Sequence, residues 1–196
     1  MTTGSYDAVR ATLCGALGLL LALAACSSPD PVLYTIAPVS GSAMAGGPSL
    51  ILLDRIDIPR YLDRSQIVKS SENYRLDVVA NDWWGEPLGP MLRRILRQEL
   101  TQRLPQSSVI SESAVTSASP DATIDLDLQR LDEDANGNVI LQAQAGISFK
   151  GRKAPVLRSF TVRVPVSAAN SGAEVAAISA AVGQLADGLA ALLVGR

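Results

Sequence analysis

The residues whose spacing most resembles a chemical site are Asp132, Asp134, Asn136 and Gly137. They match the first half of a calcium loop, where carboxylates at alternate positions and a turn-forming glycine wrap an ion. The second half departs from that pattern, because Ala143 stands where a bidentate glutamate is needed and the flanking residues alternate as strands. An Asn136-Gly137 type I′ hairpin turn with a solvated acidic shoulder accounts for the same letters, so no metal site is expected. Asp54, Asp57, Asp63, Asp82 and Glu86 are carboxylates that could do acid–base work, but nothing in the sequence sets two of them about 5 to 9 Å apart across a cleft. They read as surface charges and turn caps. The chain has 196 residues and no histidine, which removes imidazole bases, imidazole metal ligands and Ser-His or Cys-His nucleophile pairs together. It has no phosphate-cradling glycine loop and no CxxC motif. These exclusions argue against an enzyme. The balance of 17 Lys+Arg against 19 Asp+Glu provides no field for holding a polyphosphate, so no nucleic-acid partner is expected.

The thiols point to a different chemistry. Cys14 and Cys26 are the 2 cysteines, and the apolar run Ala11 to Ala25 contains one of them and ends at the other. As a helix this run spans about 22 Å, short of a bilayer core of about 30 Å, which fits a secretory signal better than a membrane span. Arg10, offset by Asp7, is its one basic flank. The sequence Leu23-Ala24-Ala25-Cys26 then places an aliphatic residue and two small residues before a thiol, and it resembles the bacterial lipoprotein lipobox. Leu13, before Cys14, is too bulky for the same peptidase slot. Cleavage is expected between Ala25 and Cys26, with residues 1–25 as signal peptide. Cys26 would then carry a covalent diacylglycerol and an N-acyl chain, with no other cofactor. At about 0.8 kcal/mol per buried CH₂, several chains hold a protein on membrane lipid essentially permanently. The alternative is a small buried Cys26 closing an uncleaved hydrophobic anchor. Ser27, standing where aspartate would resemble an inner-membrane retention signal, favours the periplasmic face of the outer membrane.

The elements behind these residues follow from periodicity. Residues 26–48 are expected to form a lipidated flexible tether, rich in Ser, Pro, Gly and Ala and reaching at most about 70 Å. Within it, Val32 to Ile36 is a β-prone run able to add an edge strand. The folded domain is expected over 49–196. Strands are predicted at 49–58, 66–70 and 74–80, with Ser71, Glu72 and Asn73 as the turn between the last two. Leu88, Met91, Leu92, Ile95, Leu96, Leu100 and Leu104 define an amphipathic helix ending at Pro105. Its other side, with Arg93, Arg94, Arg97 and Arg103 against Glu99, reads as a solvated face or as a surface for acidic headgroups or an acidic partner. Period-two runs from Thr123 onward predict an antiparallel meander with one wet face, with Pro165 at an edge or a strand end. A second helix begins at Ser171-Gly172-Ala173-Glu174, a capping-box pattern. The small residues opposite its apolar seam suit either a covering surface, such as a second copy in a homo-oligomer, or simple alanine helix propensity. The fold class is therefore α+β, a mostly antiparallel sheet with two amphipathic helices packed on one face. Trp83 and Trp84, adjacent in a strand, would point to opposite faces, one to the core and one to a partner. They would alternatively form a lid over the helix start.

Three stretches carry a specific resemblance: Tyr34-Thr35-Ile36, the run IPRYLDRSQIV from Ile58 to Val68, and Asp82-Trp83-Trp84-Gly85-Glu86-Pro87-Leu88 leading into the helix. Together they resemble the PqiC/YmbA lipoproteins, the auxiliary lipoprotein subunits of ABC-type lipid transporters. Ser65 stands where that family often has proline and Gly85 where it often has alanine; either change would loosen the local turn. The resemblance implies an outer-membrane-anchored periplasmic component that performs no chemistry. It would work with an inner-membrane ABC permease, its ATPase and an MCE-domain tunnel protein, moving phospholipids between membranes and supporting membrane integrity. Tyr61, Leu62, Asp63, Arg64, Trp83, Trp84 and Glu86 are the residues it nominates for docking or for building the docking edge. Two other readings remain: a tethered regulator that activates a peptidoglycan synthase, and a carrier that binds lipid in its own core.

Overall fold

The alternating runs fold as two sheets in the computed structural model, which describes residues 29–111 and 119–195. The signal-peptide, Ala25 and Cys26 expectations lie outside the described residues. In chain order the elements are β1 (Val32–Tyr34), β2 (Leu50–Asp57), β3 (Gln66–Ser70), β4 (Asp77–Trp84), α1 (Leu88–Arg103), β5 (Ser108–Ser111), β6 (Ala122–Glu133), β7 (Asn138–Phe149), β8 (Val156–Pro165) and α2 (Ser171–Leu193).

The larger sheet has the order β5-β2-β6-β7-β8 and the smaller β1-β4-β3. The predicted meander is β6-β7-β8, all antiparallel, with Pro165 closing the edge strand β8. The sheets are mixed, however: β2 runs parallel to both β5 and β6, and β1 runs parallel to β4. Periodicity fixes which face a residue takes, not which strand lies beside it. Ile51, Leu53, Ile124, Leu126, Leu128, Leu141, Ala143, Ala145 and Ile147 are all buried on the face that both helices cover. A bulge between Leu128 and Arg130 shifts the alternation of β6, so that Leu131 and Asp132 are both buried.

Four local expectations are corrected. The turn before β7 has Gly137 at φ 74, with its N–H donated to Asp134 O at 3.0 Å. This is a type I turn followed by a left-handed glycine, not type I′, because Asn136 stays out of the left-handed region. Asp134 Oδ1 also accepts the N–H groups of Asn136 and Asn138 at 2.9 and 3.0 Å, so the acidic shoulder is bound into the turn. The cap of α2 is Asn170, whose side chain accepts from Ala173 N–H at 2.9 Å; the Ser171 hydroxyl donates instead to Asp82. The third correction concerns β4, which begins at Asp77 and runs through both tryptophans.

The fourth is the largest. The domain begins at Val32 rather than Ser49, because the segment expected as tether is docked on the head. β1 forms the predicted edge strand, Ile36 is buried, and the chain then crosses both helices as a strap. Ala37 N–H donates to Ser179 Oγ at 3.1 Å, Val39 N–H to Glu99 Oε1 at 2.7 Å and Met44 N–H to Arg103 O at 2.7 Å. Glu99 and Arg103, expected on a solvated face, are therefore buried beneath the strap. Arg103 reaches Asp187 Oδ1 of α2 at 2.6 Å, Val39 O at 3.0 Å and Gly183 O at 3.0 Å. The strap and β8 account for two small residues of α2. A Cβ on Gly183 would lie 2.9 Å from Val39 Cβ, and one on Gly188 would lie 2.5 Å from Phe160 Cε1. Close approach within one chain thus explains glycine at these two positions.

Candidate docking site

The three motif stretches meet at one end of the small sheet. After β2, Pro59 O accepts Leu62 N–H at 2.9 Å and Leu62 O accepts Arg64 N–H at 2.9 Å, closing a tight turn. Leu62 is buried as the plug of that turn, while Asp63, Arg64 and Ser65 are exposed. Ser65 O accepts Trp84 N–H at 2.7 Å, and Tyr34 O accepts Gly85 N–H at 2.8 Å, so all three strand ends are tied together. Both bonds use backbone groups that proline at 65 and alanine at 85 would also possess. A Cβ on Gly85 would stand 3.4 Å from Tyr34 O, an ordinary contact, so neither departure removes a hydrogen bond that closes this end.

The nominated residues divide into those that build this end and those that present it. Tyr61 is half-buried and donates its hydroxyl to Asp132 Oδ2 at 3.0 Å, where Ser71 Oγ also donates at 2.5 Å. Arg130 Nε completes the fully buried Asp132 at 2.7 Å. Burial, reinforced by the Asp132 charge, pushes the Tyr61 phenol up to about 12, so it remains a donor. Trp84 is buried in the core, and Trp83, on the opposite face, is half-buried with Nε1 donating to Ala80 O at 2.9 Å. Thus Tyr61, Leu62 and Trp84 are fold-forming. Asp63, Arg64 and Glu86, with Ser65, Trp84, Gly85 and Pro87, line a concavity of about 420 Å³.

Glu86 does not project freely. It pairs with Arg94 of α1, whose Nη2 also lies 3.5 Å from Thr35 Oγ1. Arg94 therefore belongs to the site, joining the edge strand, the turn and the helix. Its eight-residue separation from Glu86 does not match a helical pair, so sequence spacing gave no signal for it. Arg94 also lies beside Arg93 and Arg97 on a wider concavity of about 750 Å³, floored by Ile56 and Pro90. Arg93 Nη1 there donates to Asp54 O at 2.7 Å. Among the described residues, no group of three or more His, Cys, Asp or Glu is placed to hold a metal ion.

The model of the ABC-type transport auxiliary lipoprotein component matches residues 32–190. The chain belongs to this family. The match begins at the same residue as the packed domain, Val32, and so includes the strap. It identifies the protein as a lipoprotein of envelope transport, of the PqiC/YmbA type, and as an auxiliary component of an ABC-type transport system. Two solved structures share the fold. A protein from Xanthomonas campestris, of the DUF330 family, is 18% identical with a TM-score of 0.71, covering 83% of this chain and 94% of its own. The crystal structure of an uncharacterized protein is 17% identical with a TM-score of 0.70, covering 83% and 97%. No curated protein matches the sequence.

Proposed function

We propose that this auxiliary lipoprotein is the outer-membrane-anchored subunit of an MCE-type intermembrane lipid transport system, and that it acts by contact without catalysis. Cys26 supplies the acyl anchor. The turn at 63–65 and the Gly85–Pro87 segment supply the edge that meets the far end of an MCE-domain tunnel, whose permease and ATPase lie at the inner membrane. The observation that carries this reading is the convergence of Tyr34, Ser65 and Trp84 on one sheet end, where buried side chains fix Asp63, Arg64 and the Glu86–Arg94 pair in place. A rigid backbone presenting exposed charge of both signs suits recognition of a partner protein.

A wall-reaching regulator fits less well. With residues 32–48 packed on the head, the chain between Cys26 and Val32 spans at most about 22 Å, too short to carry the domain through a cell wall. The test is a photo-crosslinking residue at Arg64 in the full-length protein in its native envelope. Capture of an MCE-domain protein is expected. Capture of a peptidoglycan synthase, or no adduct while the protein remains folded and anchored, would overturn the reading.

A further inference from the structure

With Cys26 lipidated, the six residues from there to Val32 would reach at most about 22 Å from the bilayer. β1 runs parallel to β4 with Val32 opposite Asp82, so its incoming end faces the end of the small sheet where β4 begins at Asp77. That end carries the β3–β4 turn, and Tyr74 on the turn is fully exposed. Leu76 beside it is 40% exposed. Such side chains are costly in water and do not support the core.

The turn is built to present them. Asn73 and Tyr74 adopt φ 55 and 62, a left-handed conformation that is unusual for a bulky residue and costs on the order of 1 kcal/mol. Glu72, the acidic member of the turn, faces away from the tip: its Oε1 accepts from Arg130 Nη2 at 3.1 Å and its Oε2 from Ala135 N–H at 2.9 Å. Between exposed Asn73 and Asp77, the tip presents an aromatic ring, a cation and an aliphatic side chain, Tyr74-Arg75-Leu76. This composition suits the headgroup level of a bilayer, where amphipathic rings and long cationic stems have one end apolar and the other wet.

We propose that the Tyr74-Arg75-Leu76 turn is a second, non-covalent foot that seats the head on the membrane holding the Cys26 lipid. The proposal rests on the lipid-anchor reading of Cys26. It gives the domain a direction. The foot and the Asp63–Arg64 edge lie at opposite ends of β4, whose eight residues span about 25 Å, so a seated foot turns the docking edge toward the periplasm.

The test uses full-length lipoprotein reconstituted in vesicles of phosphatidylethanolamine and phosphatidylglycerol. Tyr74→Cys, Leu76→Cys and, at the other end of the sheet, Ser65→Cys variants are labelled with an environment-sensitive thiol dye. Lipids carrying a quencher near the headgroup are expected to quench the dye at 74 and 76 about twofold or more beyond the dye at 65. Equal quenching at all three positions would overturn the foot and leave the anchor standing. The unsubstituted protein must refuse the dye, because the sulfur of its mature cysteine is tied up in the thioether to diacylglycerol; uptake there would overturn the anchor reading, whatever the other positions report.

Discussion

Glu99 Oε1 accepts the Val39 backbone N–H at 2.7 Å, joining helix α1 to a segment 60 residues earlier in the chain. Four residues on, the fully buried Arg103 guanidinium joins that same segment to α2. The strap is thus held by two buried charged side chains one helical turn apart. Replacing Arg103 with alanine leaves the carbonyls of Val39 and Gly183 without their donor, and breaking a buried charged network costs about 3 kcal/mol or more. Arg103→Ala is expected to lower Tm by about 6–12 °C for a domain of this size and to open residues 37–47 to protease. An unchanged Tm with a protected strap, read by thermal denaturation and limited proteolysis, would show that the strap is held by other contacts.

The strap also depends on absent side chains. A methyl group on Gly183 would meet Val39 at 2.9 Å. Gly183→Ala should gain about 1 kcal/mol of helix propensity and lose more than that by displacing the strap. Val39→Gly removes the Cβ that the new methyl meets, so the double variant is expected to recover at least about 1 kcal/mol relative to additivity in a urea-denaturation cycle. Strict additivity would mean that the two residues do not press on each other.

These contacts show where the sequence was legible. Leu88 through Leu104 recur at helical spacing and Ile124, Leu126 and Leu128 at strand spacing, because each pattern reports a face turned toward the core. The Trp83-Trp84 pair was legible for the same reason, one ring on each side of β4. The strap was not. Residues 37–47 bury little apolar surface and are held by backbone N–H groups reaching polar side chains far along the chain, a bond type with no period. Glu99 and Arg103 look like members of a solvated face until that strap covers them. The three motif stretches were visible as letters, but their convergence at Ser65, Trp84 and Tyr34 depends on β1 pairing parallel to β4, which no local pattern encodes.

Tyr61 and Arg64 separate fold from docking by experiment. Tyr61→Phe removes one of three donors to the buried Asp132 and is expected to cost about 1–2 kcal/mol while leaving partner capture intact in the folded fraction. Asp63→Ala with Arg64→Ala removes exposed charge and should shift stability by no more than about 0.5 kcal/mol while weakening capture of the MCE-domain protein. Urea denaturation alongside envelope crosslinking yields both quantities. Loss of capture in Tyr61→Phe with retention in the double variant would move the docking surface elsewhere.

Glu174 should make the stability of the domain fall as pH rises. Its carboxyl is buried near the start of α2, with Oε1 lacking a hydrogen-bond partner among the described residues. Burial first, and then the charge of Glu133, push it up to about 7; Asp132 and Asp77 add to the rise, and Lys69 opposes it. Between its ordinary value and pH 7, the native protein holds a proton that the unfolded chain has released. Stability is therefore highest below that window and declines through it, by about 3 kcal/mol in all if Glu174 acts alone. Glu99, also raised by burial, contributes with the same sign. Glu174→Gln keeps the shape without the titration, so its urea midpoint should match the unsubstituted protein near pH 4 and exceed it near pH 8. Parallel curves for the two proteins across that range would show that Glu174 keeps the same protonation state in the folded and unfolded chain.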